Sequence, residues 1–323
     1  MTAPSSSGPP WRPGATLTTL RLRAHLLQRT RAFFATREVL EVETPLLGHA
    51  GAADAQLAQF DVRLAQGETL YLQTSPEYAM KRLLAAGSGS IYQICKAFRA
   101  GEKGQLHNPE FTLVEWYRTG FTQRALIDET CALIGDLFGR ALRAPRLLSY
   151  REAFLQALAI DPFVAPDRIL ADWARRHDPG AATLTLDRDG WLDFLFSMHV
   201  APSFPRDRLT VIQAYPSSQA AWARTEGDTA ARFEIYFGAT ELANGFHEAT
   251  EWAVYKARFD EQERRRRAHG LPLIPADVRL LAALAEGDFP DCAGVALGFD
   301  RIVMLAAGAG RLDEVISFTI DRI

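Results

Sequence analysis

Two glutamates, Glu241 and Glu248, lie at equal distances on either side of an Asn244-Gly245 pair in the segment TELANGFHEATE (residues 240–251). Asn-Gly is a strong signal for a two-residue hairpin turn. A turn at this position places the two carboxylates opposite each other on neighbouring strands, where like charges destabilise a sheet. Either both side chains lie in solvent, or a divalent cation lies between them, because magnesium binds through one or two carboxylates and substrate phosphates.

Two arginines have the right chemistry to join such a site. Arg99 ends the strand-like run IYQICKAFR before a loop that contains glycines, and Arg301 ends the sequence GFDR at a predicted turn from strand to helix. Taken singly, each is typical of a surface ion pair. Taken with the two glutamates, they favour a site in which arginines and magnesium share the neutralisation of a triphosphate during attack at phosphorus.

A pair of neighbouring strands predicts where a pocket beside these groups lies. IYQICKAFR and EFTLVEWYR (residues 110–118), joined by the polar loop AGEKGQLHNP, have the pattern of a hairpin with a long connection. In the second strand the period of two places Phe111, Leu113, Glu115 and Tyr117 on one face. A glutamate and a tyrosine at the end of an apolar face indicate a polar patch that closes a pocket.

The remaining pattern predicts an α+β fold. Helices are expected from Leu17 to about Arg37, after Ser75 as N-cap with Pro76 at the first position, over residues 123–139, and in the charged segment that ends at Gly270. The sequence RFEIYFG (residues 232–238) predicts a strand, and residues 140–230 give weak, mixed signals. Helices among antiparallel-looking hairpins favour α+β over a doubly wound parallel sheet, whose phosphate-binding fingerprint is absent.

The bulk composition excludes several classes of protein. The chain of 323 residues has a formal net charge of −3, which argues against a protein that coats nucleic acid or membranes. Its three cysteines are far apart and predict neither a disulfide framework nor a zinc site. No run of about 18 apolar residues and no N-terminal apolar signal segment is present, so we expect a cytoplasmic protein. Residues 1–16, rich in Pro, Ser and Gly, predict a flexible tail before a single domain over residues 17–323.

Several long segments resemble the class II aminoacyl-tRNA synthetases. FRAGEKGQLHNPEFTLVEWY and GVALGFDR resemble motifs 2 and 3 of that class, and FFATREVLEVETPLL, with Pro45, resembles motif 1, the dimer-interface helix and strand. Within the class, SPEYAMKRLL, HNPEFT and ELANGFHE resemble lysyl-tRNA synthetase. The resemblance covers the chain after residue 16 and implies the class II catalytic fold, an antiparallel sheet flanked by helices, in a homodimer.

The resemblance implies a role for individual residues. Arg99 would hold the α-phosphate and the substrate carboxylate, Arg301 would hold the γ-phosphate, and these two with Glu241 are the expected catalytic residues. Glu241 and Glu248 would bind magnesium or the substrate amine. The expected ATP-binding residues are Arg99, Ala100, Gly101, Glu102, Asn108, Glu241, Leu242, Gly298 and Arg301. The expected amino-acid pocket consists of Ser75, Pro76, Glu77, Glu115, Tyr117, Glu248 and Ala296.

The predicted domain lacks the anticodon-binding domain that precedes the catalytic domain in lysyl-tRNA synthetases. A catalytic core alone is similar to the lysyl-tRNA synthetase paralogues that modify elongation factor P. That similarity implies activation of (R)-β-lysine, or of lysine, by ATP and transfer to a lysine of the factor. The alternatives are a truncated synthetase that charges tRNA, a biosynthetic ligase similar to the asparagine synthetase relative, and a non-catalytic regulatory module. Retention of both arginines and both glutamates disfavours the last, and the missing domain disfavours tRNA.

Two positions depart from the pattern of the class. Motif 2 of the class usually reads Arg-x-Glu, whereas here Arg99 is followed by Ala100, Gly101 and Glu102. The resemblance therefore does not extend to a side-chain contact from residue 101 to adenine, and whether Glu102 or the backbone takes its place is open. Lysyl-tRNA synthetases have glycine where this chain has Ala296. An added methyl group on a pocket wall keeps a ligand from approaching the backbone. Ala296 is therefore either a determinant that separates α- from β-lysine or a residue of simple strand packing.

Overall fold

The computed structural model describes residues 9, 11–52, 57–286 and 288–323. Most of the predicted tail, residues 1–8 and 10, lies outside the described residues. The end of that tail is packed, contrary to the prediction, because the backbone N–H groups of Gly14 and Ala15 donate to the carbonyls of Ser317 (2.9 Å) and Ile316 (3.3 Å). Composition alone could not reveal partners that lie at the other end of the chain.

The secondary structure alternates short strands with helices of two to five turns. The α-helices of the described residues are α1 (Leu17–Ala35), α2 (Glu77–Ala85), α3 (Gln123–Phe138), α4 (Tyr150–Leu158), α5 (Asp167–His177), α6 (Arg188–Leu195), α7 (Trp252–Ala268), α8 (Val278–Ala285) and α9 (Phe299–Ala306). The strands are β1 (Leu40–Glu41), β2 (Leu47–Gly48), β3 (Asp61–Arg63), β4 (Thr69–Leu72), β5 (Ile91–Phe98), β6 (Glu110–Thr119), β7 (Arg143–Ser149), β8 (Arg208–Pro216), β9 (Thr225–Glu226), β10 (Thr229–Phe237), β11 (Thr240–His247) and β12 (Cys292–Gly298).

A large, mostly antiparallel sheet forms the centre of the fold. Its strands follow the order β1-β5-β6-β12-β11-β10-β8-β7, with β9 paired to β10. Only the outer pairs, β1 with β5 and β7 with β8, are parallel. A separate small sheet has the order β2-β4-β3. The predicted α+β fold is therefore confirmed, including the long hairpin of β5 and β6 and the strand-to-helix turn between β12 and α9.

Helices α1, α3 and α9 cover one face of the sheet, whereas the other, the open face, is covered in part, where Met80 and Leu84 of α2 pack with Ile91 of β5 and Tyr117 of β6. Val114 and Trp116 of β6 and Val295 of β12 belong to the main core cluster, which also contains side chains of α1, α3 and α9. Glu115 and Tyr117, one residue out of phase, point to the opposite face, as the period of two predicts. No helix of the described part of the chain is both long and apolar enough to cross a bilayer.

Residues 140–230, where sequence signals are weak, contribute strands β7, β8 and β9 to the central sheet and, between β7 and β8, helices that pack on the sheet around a second core. Tyr150, Phe154 and Phe196 pack with Tyr215 of β8 and Tyr236 of β10 in a second cluster of buried side chains. The helices α4 to α6 have only 8 to 11 residues each, so a helical period has few repeats over which to show itself.

The hairpin turn predicted at Asn244-Gly245 is wrong. Both residues lie inside β11, which runs unbroken from Thr240 to His247. The turn between β10 and β11 lies at Gly238, whose φ is +56°. Gly245 has a packing role, because a Cβ atom there would lie 2.5 Å from Cζ of Phe233 and 2.9 Å from the carbonyl oxygen of Gly294. Close packing between strands, rather than turn geometry, requires this glycine.

A β-bulge in β11 decides which side chains face the open side of the sheet. Tyr236 is opposite Glu241, but the preceding residue of β10, Ile235, is opposite Ala243, so β11 contains one extra residue. The side chains of Leu242 and Ala243 both enter the main core. Alternation restarts after them. The bulge therefore puts Glu241 on the same face as Asn244 and Glu248.

Candidate active site

A cavity of about 960 Å³ lies on the open face of the sheet. Its floor consists of β6, β11 and β12, and its walls come from α2, the start of α9 and the loop between β5 and β6. The structure brings these predicted site residues together around it: Ser75, Pro76, Glu77, Arg99, Glu102, Asn108, Glu115, Tyr117, Glu241, Leu242, Glu248, Ala296, Gly298 and Arg301. Ala100 and Gly101 follow Arg99 in the loop but are not part of the lining.

Arg99 lies at the base of the loop between β5 and β6. Its backbone N–H donates to the carbonyl of Pro109 (2.9 Å), which closes the loop. Its guanidinium group lies over the ring of Phe111 and donates from Nη1 to Glu102 (3.2 Å). The Nε atom is buried and has no hydrogen-bond partner. A buried donor without an acceptor is costly, so Nε is available to an anionic ligand.

Arg301 is braced on two sides at the start of α9. Its Nη1 donates to the backbone carbonyl of Glu241, and its Nη2 lies 2.9 Å from Nε2 of His107. Burial and the charge of Arg301 lower the pKa of His107, so the neutral ring accepts this hydrogen bond. His107 lies in the predicted ATP loop, but sequence reasoning did not single it out. These two contacts fix the position of the positively charged guanidinium group of Arg301.

Glu241 has an acidic partner that sequence reasoning missed. Glu234 of β10 lines the same cavity, and the hydroxyl groups of Tyr215 (2.6 Å) and Tyr236 donate to it, as does Arg232 (2.5 Å). Burial raises the pKa of Glu241, and the negative charge of Glu234 raises it further. Glu234, rather than the predicted Glu248, is therefore the carboxylate whose charge acts on Glu241.

The structure does not bring Glu241 and Glu248 within reach of one cation. They lie seven positions apart along one strand direction rather than opposite each other. With a rise of about 3.3 Å per residue, their Cα atoms are roughly 20 Å apart. Oxygen ligands of magnesium lie only about 2.1 Å from the ion. Sequence reasoning went wrong because the hairpin turn was misplaced.

Glu248 lies in an acidic subsite at the other end of the floor. Lys81 of α2 is completely buried and contacts both Glu77 (2.6 Å) and Glu248 (2.8 Å). Burial raises the pKa of Glu248 to about 7, although the charge of Lys81 acts in the opposite direction. Lys81 does not line the cavity and so lies behind the two carboxylates. Its place in the helix sequence SPEYAMKRLL gave no signal beyond an ordinary i, i+4 pair with Glu77.

Glu115 completes the acidic subsite. Ser75 and Tyr117 donate their hydroxyl hydrogens to its two oxygens over 2.8 Å and 2.9 Å. Burial raises the pKa of Glu115 to about 8, and the nearby charge of Glu77 adds to the shift. A neighbouring cation favours the ionised carboxylate and lowers such a pKa. The subsite is therefore suited to ammonium groups.

Small residues of β12 shape the floor between the two ends. A Cβ atom on Gly294 would lie 2.3 Å from the ring of Tyr117 and 2.9 Å from Oε1 of Glu248, so this position has no room for a side chain. Ala296 is opposite Glu115 on one side and Asn244 on the other. Oδ1 of Asn244 is buried without a hydrogen-bond partner, which marks a further polar contact for a ligand that sequence reasoning missed.

The arrangement suits a ligand with cationic groups at one end and phosphates at the other. Glu77, Glu115 and Glu248 form the acidic end, whereas Arg99 and Arg301 form the basic end. Such a cavity has the charge pattern to align a cationic group and a phosphate at fixed places and to shield both from bulk water, where charge interactions are weak.

Comparisons with known proteins agree with this geometry. Residues 11–322 match the family model of the class II tRNA synthetases (D, K and N). Two relatives, both named elongation factor P–(R)-beta-lysine ligase, come from Salmonella typhi and from Klebsiella pneumoniae (strain 342). Each is 46% identical to this chain over 97% of its length and 98% of the relative's length. The chain therefore belongs to the class II tRNA synthetase family (D, K and N).

Proposed function

We propose that this protein is an ATP-dependent ligase that adenylates (R)-β-lysine, or lysine, and transfers the acyl group to a lysine side chain of elongation factor P. The observation that carries the proposal is the shared cavity, in which an acidic subsite and two arginines lie on one floor. The names of the relatives specify the amino acid and the acceptor. No specific observation favours tRNA charging, a biosynthetic amidation or a regulatory role.

The first step needs no side-chain nucleophile. A carboxylate oxygen of the amino acid attacks the α-phosphorus of ATP, a new P–O bond forms, the bond to the bridging oxygen breaks, and pyrophosphate leaves. Arg99 neutralises the α-phosphate and the attacking carboxylate, while Arg301 holds the γ-phosphate. Both guanidinium groups are held in place by protein contacts, so little reorganisation is needed as charge develops.

Glu241 and its neighbour Glu234, which both line the cavity, would hold a magnesium ion. Among the described residues no cluster of three or more His, Cys, Asp or Glu side chains is able to hold a metal. Magnesium does not require one, because it binds through one or two carboxylates, phosphates and water. Burial, and after it the charge of Glu234, raises the pKa of Glu241, and a bound cation would favour the ionised carboxylate. When bound, the ion would supply charge neutralisation to the pyrophosphate leaving group.

The acidic subsite selects a diamino acid. Glu77, Glu248 and Lys81 together have one negative charge when all three are ionised, which matches one ammonium group. Glu115 would bind a second ammonium group, because an adjacent cation favours the ionised form of its carboxylate. An amino acid without a side-chain amine would leave the remaining negative charge of this subsite without a counterion, at considerable cost.

In the second step the acceptor amine attacks the activated carbonyl carbon. The C–N bond forms, the C–O bond to AMP breaks, and the amine proton passes to solvent.

Because the acceptor is a translation factor, we place the reaction in the cytoplasm. We assign the homodimer contact to α1 and the motif 1 strand, where Leu40 is 56% exposed at the edge of the sheet.

The proposal predicts which acceptor becomes modified. Incubation with ATP, magnesium and (R)-β-lysine should raise the intact mass of elongation factor P by one lysyl residue, and lysine should react more slowly. A factor with its acceptor lysine changed to arginine is the control and should keep its mass. A parallel reaction with tRNA should give no acylated product. Acylation of tRNA but not of the factor would contradict the proposal.

The magnesium assignment predicts a difference between the two ends of the floor. Glu241→Gln and Glu234→Gln should each reduce pyrophosphate exchange about 100-fold or more, as loss of groups that act at a developing charge does. Both should also need a higher magnesium concentration for half-maximal rate. Glu248→Gln is the matched control, because it should raise KM for the amino acid and leave the magnesium requirement unchanged. A changed magnesium requirement only in Glu248→Gln would refute the assignment.

Ala296 predicts discrimination between α- and β-amino acids. Ala296→Gly removes a methyl group from the cavity floor and should shift the ratio of kcat/KM for lysine over (R)-β-lysine upward by about 10-fold, the scale of one methyl group in a pocket. Ala293→Gly removes a methyl group from the same strand on the core side and should lower stability without changing the ratio. An unchanged ratio in Ala296→Gly would leave only strand packing as the role of this methyl.

A further inference from the structure

The C-terminal segment contacts the loop that is expected to bind ATP. This ATP loop, residues 100–107, connects β5 and β6, and Asn108 follows it. We infer that the backbone N–H of Ile320 is a positioning group for ATP, which acts by fixing the side-chain amide of Asn108. The inference rests on the proposed function and adds to it a part of the chain that none of the motifs includes.

Three contacts join the C-terminal segment to the ATP loop and its end. The backbone N–H of Leu312 donates to the carbonyl of Gln105 (2.9 Å). Lys103 forms an ion pair with Asp321, in which each side chain is 61% exposed. The N–H of Ile320 donates to Oδ1 of Asn108 over 3.0 Å. Exposed ion pairs contribute little, so the two backbone donors carry most of the connection.

Asn108 has a well-defined place at the edge of the cavity. It is 6% exposed, and it belongs to the cavity lining. Its Nδ2 donates one hydrogen to the carbonyl of Glu110 (2.6 Å). Because the N–H of Ile320 occupies Oδ1, the amide is held in one of its two orientations, with the second Nδ2 hydrogen left for a ligand. Without that N–H, the carbonyl of Glu110 alone would define the orientation.

Other contacts also hold the ATP loop in place. Leu312 is 3% exposed and lines the cavity, and Leu106 packs against the main core cluster. Arg301 lies beside His107 at the other side of the loop. The C-terminal segment is itself fixed to the start of the chain, where Gly14 donates to Ser317 and Arg322 donates to the carbonyl of Arg12. The loop is thus supported from both sides before any ligand arrives.

Ile320→Pro removes the donor with little other change. Ile320 is the first residue of a short 3₁₀ helix (Ile320–Arg322), and the first position of a helix tolerates proline. Thr319 is extended, with φ of −85° and ψ of 169°, as a residue before proline prefers. The variant therefore tests the N–H itself. Ile320→Ala is the matched control, since it keeps the N–H and shortens a side chain that is partly exposed.

Pyrophosphate exchange supplies the measurement. Ile320→Pro should raise KM for ATP about 5- to 10-fold. Its KM for (R)-β-lysine should stay within about twofold of wild type, and its thermal unfolding midpoint should stay within a few degrees. Ile320→Ala should match wild type in all three. A general structural defect would instead change both KM values and the midpoint together, and this result would overturn the inference.

A double variant tests whether the effect passes through Asn108. Asn108→Ala should raise KM for ATP, and adding Ile320→Pro to it should produce no further increase, because the two changes remove the same interaction. Full additivity of the two increases would contradict the inference, as would a wild-type KM in Ile320→Pro.

Wild-type protein without any exchange activity would mean that the proposed function has failed, whereas normal exchange in both wild type and Ile320→Pro would mean that only this inference has failed.

Discussion

Carboxylates gathered on one face of a sheet, three of them buried and Glu241 partly exposed, are the constraint on which the rest of this structure depends. Glu115, Glu234, Glu241 and Glu248 all line one cavity, and an uncompensated buried charge is costly. Each has a different partner: hydroxyl groups for Glu115, Arg232 and two tyrosines for Glu234, Arg301 for Glu241, and Lys81 for Glu248. Burial nevertheless raises the pKa values of Glu115, Glu241 and Glu248, in spite of the cations near them. A bound cation would stabilise the ionised form of these carboxylates, and a diamino acid and a magnesium ion are cations of this kind.

The backbone is shaped to present these groups on the same side. The bulge at Leu242 and Ala243 changes the alternation of β11, and without it Glu241 would point into the core instead of the cavity. Gly245 and Gly294 keep neighbouring strands free of side chains where Phe233, Tyr117 and Glu248 need the space. A strand that would otherwise carry a simple alternating pattern thereby leads from Glu241 at one end of the cavity floor to Glu248 at the other. The same face continues to Asn244 and Ala296, which lie between them.

Much of this arrangement is readable from local sequence, and the exceptions have identifiable causes. The alternation in EFTLVEWYR predicts the cavity side of β6, and the motif resemblances place Arg99, Glu241 and Arg301 around one cavity. Asn244-Gly245 misleads because a glycine that serves strand packing has the same local sequence as a turn. Glu234, Lys81 and Asn244 were missed because their importance depends on neighbours from other elements, which no local period reports. Ile320 carries no pattern at all, since its contribution is a backbone N–H.

A crystal structure with a non-hydrolysable (R)-β-lysyl-adenylate analogue would test the central claim, that the two ends of the cavity floor divide amine recognition from phosphate chemistry. The account predicts the distal ammonium group within about 3 Å of Glu248 or Glu77 and the phosphate mimic within about 3 Å of the guanidinium group of Arg99, the ordinary range of charge-assisted hydrogen bonds. An analogue bound with its ammonium group at Glu241, or outside the cavity, would contradict it.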